Sequence, residues 1–172
     1  MKKYLILILI ALIIGSLFAV VQAAPAGKSN VAHLYLYEKT PGPLTAPWPI
    51  VEGGAWGKMT YNLSGFTFDF VFNGHGLEQG TEYTLIYYPD PWPGLDLICL
   101  GEGTVNAEGD VHIAGSVNTG DLPTDVDNVP LGGAKIWLVL SDDINCDVQF
   151  YGWNPTKYLF EGDVITFEDT ND

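Results

Sequence analysis

Arginine is absent from the 172-residue sequence, and lysine occurs only seven times. Two of those lysines, Lys2 and Lys3, precede a long apolar run. The rest of the chain sets five lysines against all 21 acidic residues, a formal charge of 5 − 21 = −16. Binding a phosphate backbone takes an array of cations, which five scattered lysines cannot supply, so nucleic acid is excluded as a partner. Anionic lipid and phosphorylated substrates are disfavoured for the same reason. Histidine is nearly as scarce (His33, His75 and His112), and cysteine occurs twice. The sequence contains no Gly-x-Ser-x-Gly elbow, no His-Glu-x-x-His and no phosphate-cradling glycine loop. A non-enzyme is therefore expected, and a secreted hydrolase would need a cleft lined by facing carboxylates or a His-carboxylate pair. Sustained helical spacing is missing after residue 24. Apolar residues make up 47% of the chain, which excludes a disordered acidic polymer.

What is present begins with an export signal. Residues 4–21 form an apolar run broken only by Gly15 and Ser16, and Val21-Gln22-Ala23 puts small residues where a signal peptidase requires them. Residues 1–23 read as a helical signal peptide and residues 24–30 as a flexible lead-in. The competing reading is an uncleaved anchor, because the run is close to the shortest that spans a bilayer. Only in that case is the membrane a partner. The first cysteine lies far downstream, so a lipoprotein is not expected. The predicted location is secreted or at the cell surface. In that oxidising compartment Cys99 and Cys146 predict one disulfide, against the alternative of two separate buried thiols.

Residues 31–168 read as one domain, followed by a short tail at 169–172. Period-2 alternation dominates it. Met59, Tyr61 and Leu63 alternate with Lys58, Thr60, Asn62 and Ser64, and Phe66, Phe68, Phe70 and Phe72 fall on one face. Further strands are expected at residues 31–37, 81–88, 95–105, 110–117, 134–140 and 164–167. The run 134–140 is apolar on both faces and is expected to be central. The turn Ala107-Glu108-Gly109-Asp110 between two alternating runs predicts a hairpin. The expected fold is an all-β antiparallel sandwich of about 7–9 strands, immunoglobulin- or fibronectin-like or jelly-roll-like.

Two long loops carry the candidate sites. Pro47-Trp48-Pro49 and Tyr87-Tyr88-Pro89-Asp90-Pro91-Trp92-Pro93 place tryptophans in proline-framed loops beside carboxylates. A sugar ring can stack on such faces while carboxylates accept its hydroxyls. Trp48, Tyr88, Asp90 and Trp92 are therefore the candidate ligand-binding residues, with lids over the sandwich ends as the alternative role. Asp121, Asp125 and Asp127 could offer oxygen ligands to calcium, as could the crowded Asp142, Asp143 and Asp147, although neither group has EF-hand spacing. No other cofactor is expected. Asn62-Leu63-Ser64 is a glycosylation sequon, with Asn62 as acceptor. The expected function is a structural or interaction role outside the cell. The partner is then a protein or a polysaccharide, and the alternative function is carbohydrate binding through the loop tryptophans.

Two resemblances accompany these readings. Gly76-Leu77-Glu78-Gln79-Gly80-Thr81-Glu82-Tyr83 resembles the tyrosine corner of fibronectin type III domains, with Gln79 where that family has proline. The resemblance implies that the Tyr83 hydroxyl bonds back to the preceding backbone. The runs Phe70-Val71-Phe72-Asn73-Gly74-His75-Gly76-Leu77, Ala134-Lys135-Ile136-Trp137-Leu138-Val139-Leu140-Ser141 and Gly152-Trp153-Asn154-Pro155-Thr156-Lys157-Tyr158 are similar to small secreted domains of methanogenic archaea and some bacteria. That similarity implies an exported surface role and carries no implication of an activity.

Overall fold

A computed structural model describes residues 29–43, 46–90, 97–125, 132–146 and 149–171. The signal segment, Trp92, Asp127 and Asp147 lie outside the described residues. Among the described residues twelve strands follow in chain order. They are β1 (Val31–Tyr37), β2 (Trp56–Asn62), β3 (Ser64–Gly65), β4 (Phe68–His75), β5 (Glu82–Tyr88) and β6 (Ile98–Thr104). The remainder are β7 (Val111–Val117), β8 (Lys135–Leu140), β9 (Ile144–Asn145), β10 (Gln149–Phe150), β11 (Phe160–Glu161) and β12 (Glu168–Asp169). Single 3-10 turns occupy Ser141–Asp143 and Pro155–Lys157. Among the described residues no helix is long and apolar enough to cross a membrane.

The strands form an antiparallel β-sandwich. One sheet runs β11-β1-β2-β4-β7 and the facing sheet β6-β5-β8. Register explains the core. Leu34 lies opposite Met59, Met59 opposite Phe72, and Phe72 opposite Ile113, so one apolar row crosses four strands on the inner face. All four are buried. A slip of one residue in any pair would turn its apolar set to water. Glycines make room for the rings: a Cβ on Gly57 would lie 2.2 Å from Phe72 Cζ, and one on Gly115 would lie 2.8 Å from Phe70 Cε1.

The three-stranded sheet is covered on both sides. Tyr83, Leu85 and Tyr87 of β5 join the sandwich core, while Ile86 points to a second cluster with Trp137, Val139, Ile144, Tyr158 and Phe160. A bulge between Leu85 and Ile86 leaves Leu100 unpaired on β6 and sends it into the core. The Cys99–Cys146 disulfide, with Cα atoms 5.6 Å apart, ties β6 to the chain just after β9 and so holds the outer layer down.

Three expectations are corrected by the structure. Phe66 is 69% exposed, because the chain turns between β3 and β4 before the buried Phe68–Phe70–Phe72 alternation begins. Residues 107–110 do not close a hairpin between paired strands. They carry the chain from β6 in one sheet to β7 in the other. β8 is apolar on both faces yet lies at the edge of its sheet, where a bridge from Leu138 to Leu159 covers it; β5 is the central strand. The third long strand, β4, stays in the first sheet with β1 and β2.

Candidate functional site

A cleft of about 900 Å³ opens where β8, β11 and two covering segments meet. Its floor follows from strand alternation. Trp137 projects from β8 away from the sandwich core, and Tyr88 closes β5 beside it in register with Lys135. The two rings stack with centroids 3.8 Å apart at 16°. One wall comes from Ala46, Pro47 and Trp48, which lie between the ends joined by the Lys39–Ile50 bridge. Within it, Trp48 donates from Nε1 to the Gly42 carbonyl at 2.9 Å and meets Phe160 edge-on at 5.2 Å. The opposite wall is Trp153, half exposed, 6.4 Å from Trp48 and 6.1 Å from Trp137.

Trp153 is placed by a buried carboxylate. Asp143 is only 6% exposed and accepts from Asn154 Nδ2 at 2.9 and 2.8 Å and from the Tyr158 hydroxyl at 2.5 Å. Its carbonyl accepts the Tyr151 amide at 2.8 Å, and the Tyr158 hydroxyl in turn accepts the Asn154 amide at 3.1 Å. Gly152 is required beside it, since a Cβ there would lie 1.9 Å from Asp143 Oδ1. The network clamps both sides of Trp153. Burial pushes the Tyr158 phenol up, and its bond to the Asp143 carboxylate adds to the shift.

Charged groups line the rim and the floor. Glu161 accepts the Trp137 indole N–H, and its own carbonyl accepts Lys39 Nζ at 2.6 Å. Burial raises the Glu161 carboxyl above the ordinary range, against the opposing pull of Lys39, a backbone hydrogen bond, Lys135 and the indole. Lys135 pairs with Asp90. Burial pushes the Tyr88 phenol up to about 12, with Asp90 and Glu161 adding to the shift. The cleft thus combines aromatic faces with paired charges of both signs. That arrangement holds a ligand having both apolar faces and hydrogen-bonding edges.

Of the residues expected from sequence to bind ligand, Trp48, Tyr88 and Asp90 all line this cleft. Trp137, expected in the core, is buried and also forms its floor. Sequence reasoning missed Trp153, Lys39, Lys135 and Glu161. The available signal was Trp153-Asn154-Pro155, a tryptophan beside a proline as in Pro47-Trp48-Pro49.

The remaining candidates are dispersed. Asp121 and Asp125 are part of a loop in which Asp121 Oδ1 accepts the Asp169 amide at 2.7 Å. Asp143, of the second acidic group, has both oxygens engaged by Asn154 and Tyr158. Among the described residues no three acidic, His or Cys side chains gather as a metal site. The Asn62 amide donates to the Ser64 and Thr67 carbonyls at 3.3 and 2.9 Å, and its oxygen accepts the Asp69 amide at 2.8 Å. Its side chain thus holds the turn into β4, and a glycan on Nδ2 would compete with those bonds.

The three histidines share the outer face of the large sheet but bond separately, to Thr60, Asp110 and Asn73. The Tyr83 hydroxyl has no hydrogen-bond partner among the described residues. It opens instead on a second cavity of about 290 Å³ beside Glu38, Glu78 and Lys157. The backbone bond implied by the fibronectin-like corner is therefore absent among the described residues. No protein family profile matches this chain, and neither a curated protein nor a solved structure shows significant similarity to it.

Proposed function

We propose that this chain is an exported, non-catalytic binding module that acts outside the cell or at its surface and takes a carbohydrate in the aromatic cleft. The observation that carries the reading is the meeting of Trp48, Trp137, Trp153 and Tyr88 around Lys39, Asp90, Lys135 and Glu161 in one open cleft. Sugars present apolar ring faces and hydroxyl edges, and this lining offers stacking surfaces beside donors and acceptors. The apolar amino-terminal run and the disulfide support export. The acidic chain favours a neutral glycan over an anionic one.

A glycan-array screen with the purified protein tests the reading. Binding should be lost or weakened about tenfold in Trp153→Ala, whose ring is half exposed and removable without opening the sandwich core. Binding that survives loss of both Trp48 and Trp153 would overturn the assignment. Release of new reducing ends from a bound glycan would instead make the cleft hydrolytic, with the raised Glu161 as its acid.

A further inference from the structure

The outer face of the five-stranded sheet carries a row of aromatic rings that begins beside the cleft. Leu34 and Leu36 point inward from β1, so Tyr35 and Tyr37 point outward; by the same alternation Trp56 leaves β2 and His75 leaves β4 on that side. Tyr37 and Tyr35 stack at 6.3 Å and 15°. Tyr35 meets Trp56 at 6.4 Å, and Trp56 meets His75 at 4.7 Å. Tyr35 and Trp56 are 42% and 40% exposed, so part of each ring is open to a ligand. Gly162 joins this row to the cleft. It lines the cleft wall, its amide donates to the Tyr35 carbonyl at 2.7 Å, and a Cβ on it would lie 2.8 Å from the Tyr37 ring.

We infer that the ligand is a linear, neutral polysaccharide whose chain runs out of the cleft over Gly162 and along Tyr37, Tyr35 and Trp56. This rests on the carbohydrate reading of the cleft and adds the polymer class. Sugar units of an extended chain repeat on the length scale of these ring separations, so successive units can lie on successive rings. Lys58 Nζ lies over the Tyr35 ring, 5.8 Å from its centroid, so a sugar unit that stacks there displaces the ammonium to the ring edge. The acidic chain repels polyanions, which leaves a neutral polymer. His75, held by Asp110 at 2.8 Å, ends the row.

Calorimetric titration of the purified protein with linear β-1,4-linked gluco-, manno- and N-acetylgluco-oligosaccharides, from disaccharide to hexasaccharide, tests the inference. One series should bind, and its hexasaccharide should bind about tenfold more tightly than its disaccharide. Trp56→Ala and, separately, Tyr35→Ala should remove that gain and leave the disaccharide affinity unchanged, which also shows that the variants are folded. A series that binds with equal affinity at every length would overturn the inference and leave the cleft assignment standing. If no series binds, both fall. Self-association that Trp56→Ala abolishes would overturn the inference by assigning the aromatic face to a second copy of the chain.

Discussion

The two sides of the three-stranded sheet solve the same burial problem by different means. On its inner side Leu34, Met59, Phe72 and Ile113 pack in register with Tyr83, Leu85 and Leu138, and glycines give way to rings. That interior is close to purely apolar. On the outer side Trp137, Ile144, Tyr158 and Phe160 are mixed with polar anchors, and the layer is tied down by a disulfide, a buried Asp143 and a Thr84–Ser141 hydroxyl pair at 2.8 Å. The comparison separates a region built for stability from one built to present groups. Closing the loop from Cys99 to Cys146, 47 residues apart, stabilises the fold by about 4 kcal/mol in the chain-entropy model. The inner side needs no such tie.

The sharpest way to break this contrast is to damage the inner side. Phe72→Ala removes a fully buried ring that Gly57 is shaped to receive, and the neighbours cannot collapse into the space without moving β2. The expected loss is about 3–5 kcal/mol in denaturant unfolding. A loss near that of a surface change would mean that the inner core is loosely packed. The disulfide should remain formed in the variant, since it lies on the other side of the sheet.

The next effect is on the outer side. Asp143→Ala leaves the Tyr158 hydroxyl and the Asn154 amide without their partner in a buried place. The expected destabilisation is about 2–4 kcal/mol. Because those two residues flank Trp153, glycan binding should weaken as well, whereas Phe72→Ala should leave the affinity of the folded fraction intact. Calorimetric titration of both variants below their melting temperatures separates stability from presentation. Equal affinities would mean that the clamp does not place Trp153.

The inner side was legible in the sequence and the outer side only in its parts (the disulfide and the loop aromatics), for a physical reason. Phe68, Phe70 and Phe72 alternate within one strand, so a local period reports their face. Phe66 keeps the same period but falls before the strand begins, which a period cannot register. The turn at 107–110 shows that the chain reverses, yet nothing local says whether the next strand pairs with the last or crosses to the other sheet. Trp48, Tyr88 and Asp90 were visible as aromatic and acidic residues framed by prolines. Their union with Trp153, Lys39 and Glu161 depends on contacts between distant segments, which composition does not encode.

A pH series sharpens the comparison through Glu161. Burial raises its carboxyl in the folded state above the ordinary 4.5. Between those two values the unfolded chain has released its proton while the folded chain keeps it, so stability must fall as pH rises through the folded value. The contribution is fully present below the unfolded value and lost above the folded one. Glu161→Gln retains an oxygen to accept the Trp137 indole and removes the charge, so its stability relative to the native protein should rise across that window. Denaturant unfolding of both proteins at several pH values measures the difference. A difference that stays flat with pH would mean that the carboxylate is well solvated in the cleft.

The smallest effect separates two buried tyrosines. Tyr158 donates to Asp143, and Tyr158→Phe should cost about 1–3 kcal/mol because the carboxylate is left short of a donor. Tyr83 is just as buried, but its hydroxyl has no partner among the described residues and faces the small cavity near Glu38 and Glu78. Burial, with those two carboxylates adding to it, pushes its phenol up to about 12, so the group stays neutral through the ordinary pH range. Tyr83→Phe removes no bond and keeps the ring against the core. Its effect on unfolding should lie within about 0.5 kcal/mol of zero. A cost of the size found at Tyr158 would show that the hydroxyl does bond to backbone, and would restore the fibronectin-like corner that the resemblance at Gly76–Tyr83 implied.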